Sequence, residues 1–443
     1  MNPQLTILGL GPGNPKHRTI ETVEILAAAE SILFRTLIHP GLESFAGDPR
    51  VSSCDDLYEF GETFDEVYSS IVERVLSKAQ LSPIVYAVPG HPLVGERTVA
   101  AILDQARELK INSRVVSGIS AIDVVATTLA VDPMASEAQI IDATELQRFV
   151  ESGPFNGALP DISPLRPVLI CQVYSSAIAS AAKLALCRIF PDEHFVRIVT
   201  AAGIDTELSV VECQLFELDR AAVNHLTSVW IEPMATLEST RWPLTLQHIV
   251  ARLRAPDGCP WDREQTYETL RSTAIEEAYE VAEAIDSGDL DNLAEELGDL
   301  LLHVAMQAQI AEEAGDFSIG DVYDHVNRKL VRRHPHVFGS VIAETPDKVV
   351  ETWESVKASE RVARGKSPIA TADPYDRLPK AMPVLHRVTK IARKRQTEPI
   401  AADGDKLGDA LLALVENVVR AGLDPEIELE RAYRRNAARS AQE

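Results

Sequence analysis

Through residues 1–240, short apolar runs rich in β-branched side chains alternate with stretches whose apolar positions recur every three and four residues. Runs 5–10, 31–34, 83–88, 114–116, 168–173 and 196–200 read as buried strands, and 19–29 and 96–109 read as helices. Strands alternating with helices predict an α/β layer architecture. From residue 243 onward the strand signal almost vanishes. Residues 244–253, 267–287, 290–314 and 319–333 all repeat apolar positions at helical spacing, so this part reads all-α. The expected organisation is an α/β domain over 1–240, a helical domain over 243–357, a polar linker over 358–377 and a last helical region over 378–443.

The helical half contains an echo of itself. Leu297-Gly298-Asp299-Leu300-Leu301-Leu302 matches Leu407-Gly408-Asp409-Ala410-Leu411-Leu412, and basic clusters follow each copy at 328–333 and 431–435. This predicts a duplicated helical module. The second copy is degraded, because Lys406 stands where the first has Glu296 and no acidic helix precedes it.

Charge sharpens the picture. The 443 residues carry a formal net charge of −24, which argues against nucleic-acid polymers and anionic membranes as partners. Much of that charge is local: residues 268–324 hold sixteen Asp and Glu against Arg271 alone. The five cysteines include no CxxC pair and are odd in number, which fits thiols in a reducing cytoplasm. Met1-Asn2-Pro3-Gln4 does not open like a signal peptide, and no apolar run reaches the roughly 18 residues that suggest a membrane span.

Within the acidic region, Glu276, Glu277 and Glu280 lie on one predicted helix, and Glu296 and Asp299 on the next. Glu277 and Glu280 share a helix face, as do Glu296 and Asp299. A turn around Ser287-Gly288-Asp289 would fold the helices antiparallel and set like charges against one another. A hard divalent cation, magnesium above all, is the natural compensation, since it takes oxygen ligands and keeps waters for phosphates. Glu283, Asp286, Asp291, Glu295, Glu312 and Glu313 read instead as a solvated face. Downstream, the basic run 327–336 offers donors suited to phosphate oxygens.

GCPWDREQT, EEAYE, ELGDLL and KLVRRHPHVF, in that order between about 244 and 357, resemble the MazG nucleoside triphosphate pyrophosphohydrolase family. The resemblance implies an all-α, obligately oligomeric enzyme, a homodimer or higher homo-oligomer, that converts a nucleoside triphosphate to the monophosphate and pyrophosphate. It implies metal ligation by Glu277, Glu280, Glu296 and Asp299, with Glu276 adjacent in the catalytic set. Lys329, Arg332 and Arg333 would hold the triphosphate, and Trp353 and Lys357 would lie near base and phosphates. Residues 378–443 would be a structural or dimerisation remnant.

In the α/β half, Gly9-Leu10-Gly11-Pro12-Gly13 follows the first strand. It lacks the G-x-G-x-x-G spacing of a dinucleotide fingerprint, so alone it suits a tight turn or a ligand site equally. Three more loops follow strands, at 87–92, 117–121 and 200–203, and ligands of open α/β sheets gather at such loops. With 228–233, this set resembles the tetrapyrrole (corrin/porphyrin) methylase family, which has two α/β subdomains. The resemblance implies S-adenosylmethionine lined by Gly9, Gly11, Gly13, Pro89, Gly90, His91, Gly118, Ser120 and Gly203, and a tetrapyrrole or other methyl acceptor. His91 stands where many members have Asp, and could meet ligand or cap the next helix; Arg35-Thr36 and His39-Pro40 also depart from the usual pattern. The tandem order is similar to the YabN type of fusion protein. Three readings result: a bifunctional enzyme, a pyrophosphohydrolase with a small-molecule-binding N-terminal domain, and a helical scaffold.

Overall fold

A computed structural model of the chain describes residues 3–60, 63–157 and 159–363, with scattered positions between 378 and 435. The expected helical remnant 378–443, with its echo at 407–412, lies largely outside the described residues. Two compact units divide the chain, Met1–Asp316 and Phe317–Glu443.

The first unit opens with a parallel sheet of β1 (Leu5–Gly9), β2 (Ile32–Phe34), β3 (Val51–Ser53), β4 (Ile84–Val88) and β5 (Ser113–Val116), in the order β3-β2-β4-β1-β5. Leu5 stands opposite both Ile84 and Ser113, which places β1 centrally. β1 and β4 are buried throughout, as parallel strands covered on both faces must be. Around them run α1 (Ile20–Ala28), α2 (Asp55–Phe60), α3 (Phe64–Leu81) and α4 (Arg97–Glu108). Leu5, Ile7, Ile84 and Tyr86 pack with Ile71 and Val75 of α3 and Ile102 of α4. The alternate residues Leu8, Val85 and Ala87 pack with Leu26 of α1.

Next come α5 (Ala121–Leu129), β6 (Gln139–Asp142), α6 (Ala143–Glu151), β7 (Val168–Cys171), α7 (Ser176–Leu186), β8 (Phe195–Thr200), β9 (Ser209–Gln214) and β10 (Thr227–Ile231). Their sheet runs β6-β7-β10-β8-β9 and is mixed: β6 and β7 are parallel, while β10 is antiparallel to both β7 and β8. One face packs on α7 through Ile170, Val196 and Val229. The other packs Leu169, Val199 and Trp230 on Val124 and Val125 of α5. Thus the helix that leaves the first sheet is buried beneath the second, joining the two α/β subdomains. The expected strands all form in part, but β3, β6, β9 and β10 were not expected. The first three are edge strands of half-buried or exposed residues, so they lack an apolar run, whereas β10 is central and buried but has only the three apolar residues Val229–Ile231 in succession.

The unit closes with α8 (Pro243–Arg254), the short α9 (Pro260–Glu264), α10 (Leu270–Ser287) and α11 (Leu290–Ala314). Val250, Leu270, Ala305 and Met306 form its small core. Arg254, whose side chain is 7% exposed, binds Glu313 through two hydrogen bonds of 2.9 and 2.8 Å and also donates to the Asp262 and Gln265 carbonyls. This single side chain ties α8, the end of α9 and α11 together.

The second unit contains α12 (Ile319–Arg333), α13 (Pro335–Phe338) and α14 (Pro346–Ala363). Ser318 and Asp321 form a reciprocal cap at the start of α12, and His334 ends it ahead of Pro335. Because α14 runs to Ala363, the first six residues of the expected linker are helical. Among the described residues no helix is long and apolar enough to cross a membrane. The five cysteines are free, and burial pushes the Cys54, Cys171 and Cys187 thiols up to about 11.

Candidate functional site

α10 ends at Gly288, whose left-handed φ of 72° ends the helix, and the Asp289 side chain caps α11 by accepting from the Asn292 N–H at 3.1 Å. The resulting helical hairpin brings Glu277, Glu280 and Glu296 together, with one carboxylate oxygen of each lying within 4.8 Å of the others. All three are half-buried. Of the remaining expected residues, Asp299 and Glu276 are exposed and lie outside this cluster. Desolvation, then the neighbouring Glu277 and Glu296 charges, raise the Glu280 carboxyl above its ordinary value. The Glu296 carboxyl is raised by desolvation and then by Asp299 and Glu277. Asp299 is therefore felt at the cluster without belonging to it. Three converging carboxylates supply an all-oxygen donor set, which suits a hard divalent cation.

His303, absent from the sequence reading, stands one turn beyond Asp299 on α11. Its Nε2 is 3.6 Å from a Glu277 oxygen, and its buried Nδ1 has no partner among the described residues. The spacing Glu296, Asp299, His303 was a readable signal, since all three fall along one helix face.

In the second unit, the expected phosphate-binding arginines are already engaged. Arg332 and Arg333 both pair with Glu360 of α14 at 2.7 Å. These bonds hold the Glu360 carboxyl down at about 2. Trp353 has Lys357 Nζ 4.6 Å and Arg333 Cζ 5.8 Å from its ring centroid, a cation–π arrangement. Lys329 is exposed.

The glycine loops of the α/β half meet one another. Gly11 and Gly90 exchange backbone hydrogen bonds of 3.1 and 2.8 Å. A Cβ on Gly9 or Gly118 would lie 2.4 or 2.3 Å from the Gly90 carbonyl oxygen, so backbone packing alone demands glycine at both. Gly90 differs: its φ is positive, and a Cβ there would meet nothing nearer than 4.0 Å. Gly13 and Gly203 also have positive φ, and Asn14 donates its side-chain amide to the Gly203 carbonyl at 3.1 Å. Ser120 caps α5 in a reciprocal pair with Asp123. Pro89 is half-buried at the end of β4. His91 does not cap α4, which is capped by Glu96; its Nδ1 instead accepts from the Leu93 N–H at 3.1 Å.

Two departures from the family pattern gain physical reasons. His39 is buried and donates to the Gly11 carbonyl at 3.1 Å, and burial lowers its pKa to about 4, keeping it neutral. Arg35 pairs at 2.5 Å with Glu96, the N-cap of α4, whose side chain is 6% exposed. A cavity of about 390 Å³ lies beside these loops, lined by His17, Ile119, Asp123, Thr127, Gly203 and Leu208 among others; of the nine expected ligand residues only Gly203 touches it.

Comparison with known proteins accounts for both halves. The tetrapyrrole (corrin/porphyrin) methylases match residues 4–219, and the MazG nucleotide pyrophosphohydrolase domain matches residues 265–338. YabN of Bacillus subtilis is 36% identical over 396 residues, spanning 89% of this chain and 77% of that protein. The nucleoside triphosphate pyrophosphohydrolase/pyrophosphatase MazG of Thermotoga maritima is 37% identical over 213 residues, 43% of this chain and 80% of that protein. The Escherichia coli nucleoside triphosphate pyrophosphohydrolase is 43% identical over 147 residues, 33% of this chain and 54% of that protein. These matches mark a nucleotide pyrophosphohydrolase-type enzyme with a methylase-type domain in front. More particularly, the chain belongs to the MazG family, in the methylase–MazG arrangement it shares with YabN.

Proposed function

We propose that the protein hydrolyses nucleoside triphosphates to the monophosphate and pyrophosphate with magnesium at the α10–α11 hairpin. The single observation that carries this reading is the convergence of Glu277, Glu280 and Glu296. A bound magnesium ion would supply charge neutralisation at the phosphates and acidify a water molecule. The chain's own part is to hold that ion with Glu277, Glu280 and Glu296, to add the negative charge of Asp299 beside them, and to bind phosphate oxygens through Lys329, Arg332 and Arg333. Trp353 offers an aromatic face for a base, with Lys357 beside it. A panel of nucleoside triphosphates, assayed with magnesium for monophosphate and pyrophosphate together, tests the reaction. Equal release of both supports it, and orthophosphate release in their place counts against it.

The hairpin also supports a homo-oligomer. Ile275 and Tyr279 on α10 and Leu297, Leu301 and Val304 on α11 are at least 40% exposed, an apolar stripe fit to be covered by a second copy.

For the N-terminal domain we propose S-adenosylmethionine binding at the Gly9, Gly90 and Gly118 loops. The open side of Gly90 is where a ligand could approach the backbone closely. A second reading is binding without methyl transfer; the packing of Gly9 against Gly118 accounts for those two glycines with or without a ligand. Calorimetric titration with S-adenosylhomocysteine tests binding, and turnover with candidate tetrapyrroles separates the two readings.

A further inference from the structure

Arg332 and Arg333 are consecutive residues in the last turn of α12, so their side chains leave the helix about 100° apart. They nevertheless meet at one carboxylate. Arg332 Nε donates to Glu360 Oε1 at 2.7 Å; Arg333 Nε donates to the same oxygen at 3.2 Å, and its Nη2 donates to Oε2 at 2.7 Å. The Glu360 side chain is 12% exposed and that of Arg333 19%, so the junction is sheltered. Each guanidinium keeps further N–H donors that Glu360 does not use. On α14, Trp353, Lys357 and Glu360 follow at spacings of four and three, which places them on one face. Trp353 backs Arg333, and Lys357 lies over the same ring. Two arginines and Lys357 set against Glu354 and Glu360 leave the cluster cationic.

We propose that Glu360 is a positioning residue that converges Arg332 and Arg333 into one phosphate-binding fork against Trp353. The inference rests on the reading of these arginines as triphosphate donors and adds what arranges them. A guanidinium on a free side chain must be ordered each time it binds an anion, at a cost in rotamer freedom. Glu360 meets that cost during folding and presents both cations ready. It also withdraws positive charge from the fork, so the opposite role, an internal anion competing with phosphate, has the opposite signature.

The test uses the full chain and inorganic tripolyphosphate without metal, titrated calorimetrically, together with steady-state hydrolysis of a nucleoside triphosphate. Glu360→Gln should weaken tripolyphosphate binding about tenfold and raise KM by a similar factor, with little change in kcat. Glu360→Asp, which keeps the carboxylate, should recover part of that loss, and circular dichroism should show both variants folded. Tripolyphosphate binding that is unchanged or tighter in Glu360→Gln overturns the proposal. The double variant Arg332→Ala/Arg333→Ala separates the failures. If it binds tripolyphosphate like the wild type, the phosphate-donor reading itself falls. If it loses binding while Glu360→Gln keeps it, only the positioning role falls.

Discussion

Glu277 on α10 and Glu296 on α11 bring carboxylate oxygens within 4.8 Å of each other across a hairpin whose turn is only Gly288 and Asp289. Nothing in the packing of two helices requires this. Hydrophobic contact between α10 and α11 would be served as well by neutral residues, and repulsion between like charges opposes the pairing. The arrangement makes sense when a cation is the third party.

The repulsion gives a pH signature. Glu280 and Glu296 have folded-state values raised above the ordinary 4.5. A carboxyl raised by folding favours the folded state fully below its unfolded value, and that contribution is lost as pH rises through the folded value. Without divalent cations, this site therefore costs stability as pH climbs above about 4.5. Magnesium should raise the melting temperature more at about pH 7.5 than at about pH 5, where protons compete for the same oxygens. Thermal melts at both pH values check this; an equal or larger gain at the lower pH speaks against it.

Arg254 should be a structural keystone of the helical module. Replacing it with Met leaves the Asp262 and Gln265 carbonyls without this donor and Glu313 with only its bond from Gln309, at a cost of about 1–3 kcal/mol. Denaturant unfolding of the variant measures the loss. A change below about 1 kcal/mol would show that Glu313 is satisfied by water.

Gly118→Ala drives a Cβ to 2.3 Å from the Gly90 oxygen. The backbone must shift, at about 1–3 kcal/mol, and affinity for S-adenosylhomocysteine should fall with it. The contrasting change Gly298→Ala meets no atom within 4 Å and lies inside α11. It should raise stability by about 0.5–1 kcal/mol through helix propensity.

The exposed stripe on α11 predicts self-association. Leu301→Arg, at a position 52% exposed, should leave the fold intact and shift the protein toward monomer in analytical ultracentrifugation. A wild-type protein that sediments as a monomer at micromolar concentration would remove this expectation.

What the sequence revealed depended on how local the signal was. α11 and α12 fall where periodicity and end signals place them, because Asp289 and Ser318 cap the two N-termini and the apolar spacing between is regular. The carboxylate pairs could be read because helix spacing fixes which residues share a face. The edge strands β3, β6 and β9 were hidden, since their partners rather than their residues make them strands. The pairing of Arg35 with Glu96 spans 61 positions, and no local pattern announces it. Glu360 was equally silent: a lone Glu on a polar helix acquires meaning only when Arg332 and Arg333 close on it. The exposure of Asp299, beside a half-buried Glu296 on the same helix, likewise depends on how α10 packs.

The most direct test of the central claim is the release of pyrophosphate from a nucleoside triphosphate by wild-type protein and by Glu280→Gln, each with magnesium and with chelator. The wild type should release pyrophosphate only with magnesium. The variant should lose about 100-fold of that rate, the upper end of what disturbing even the outer shell of a metal site costs, while melting no lower than the wild type in chelator because one repelling charge is gone. Undiminished magnesium-dependent release by Glu280→Gln would contradict the assignment of the site.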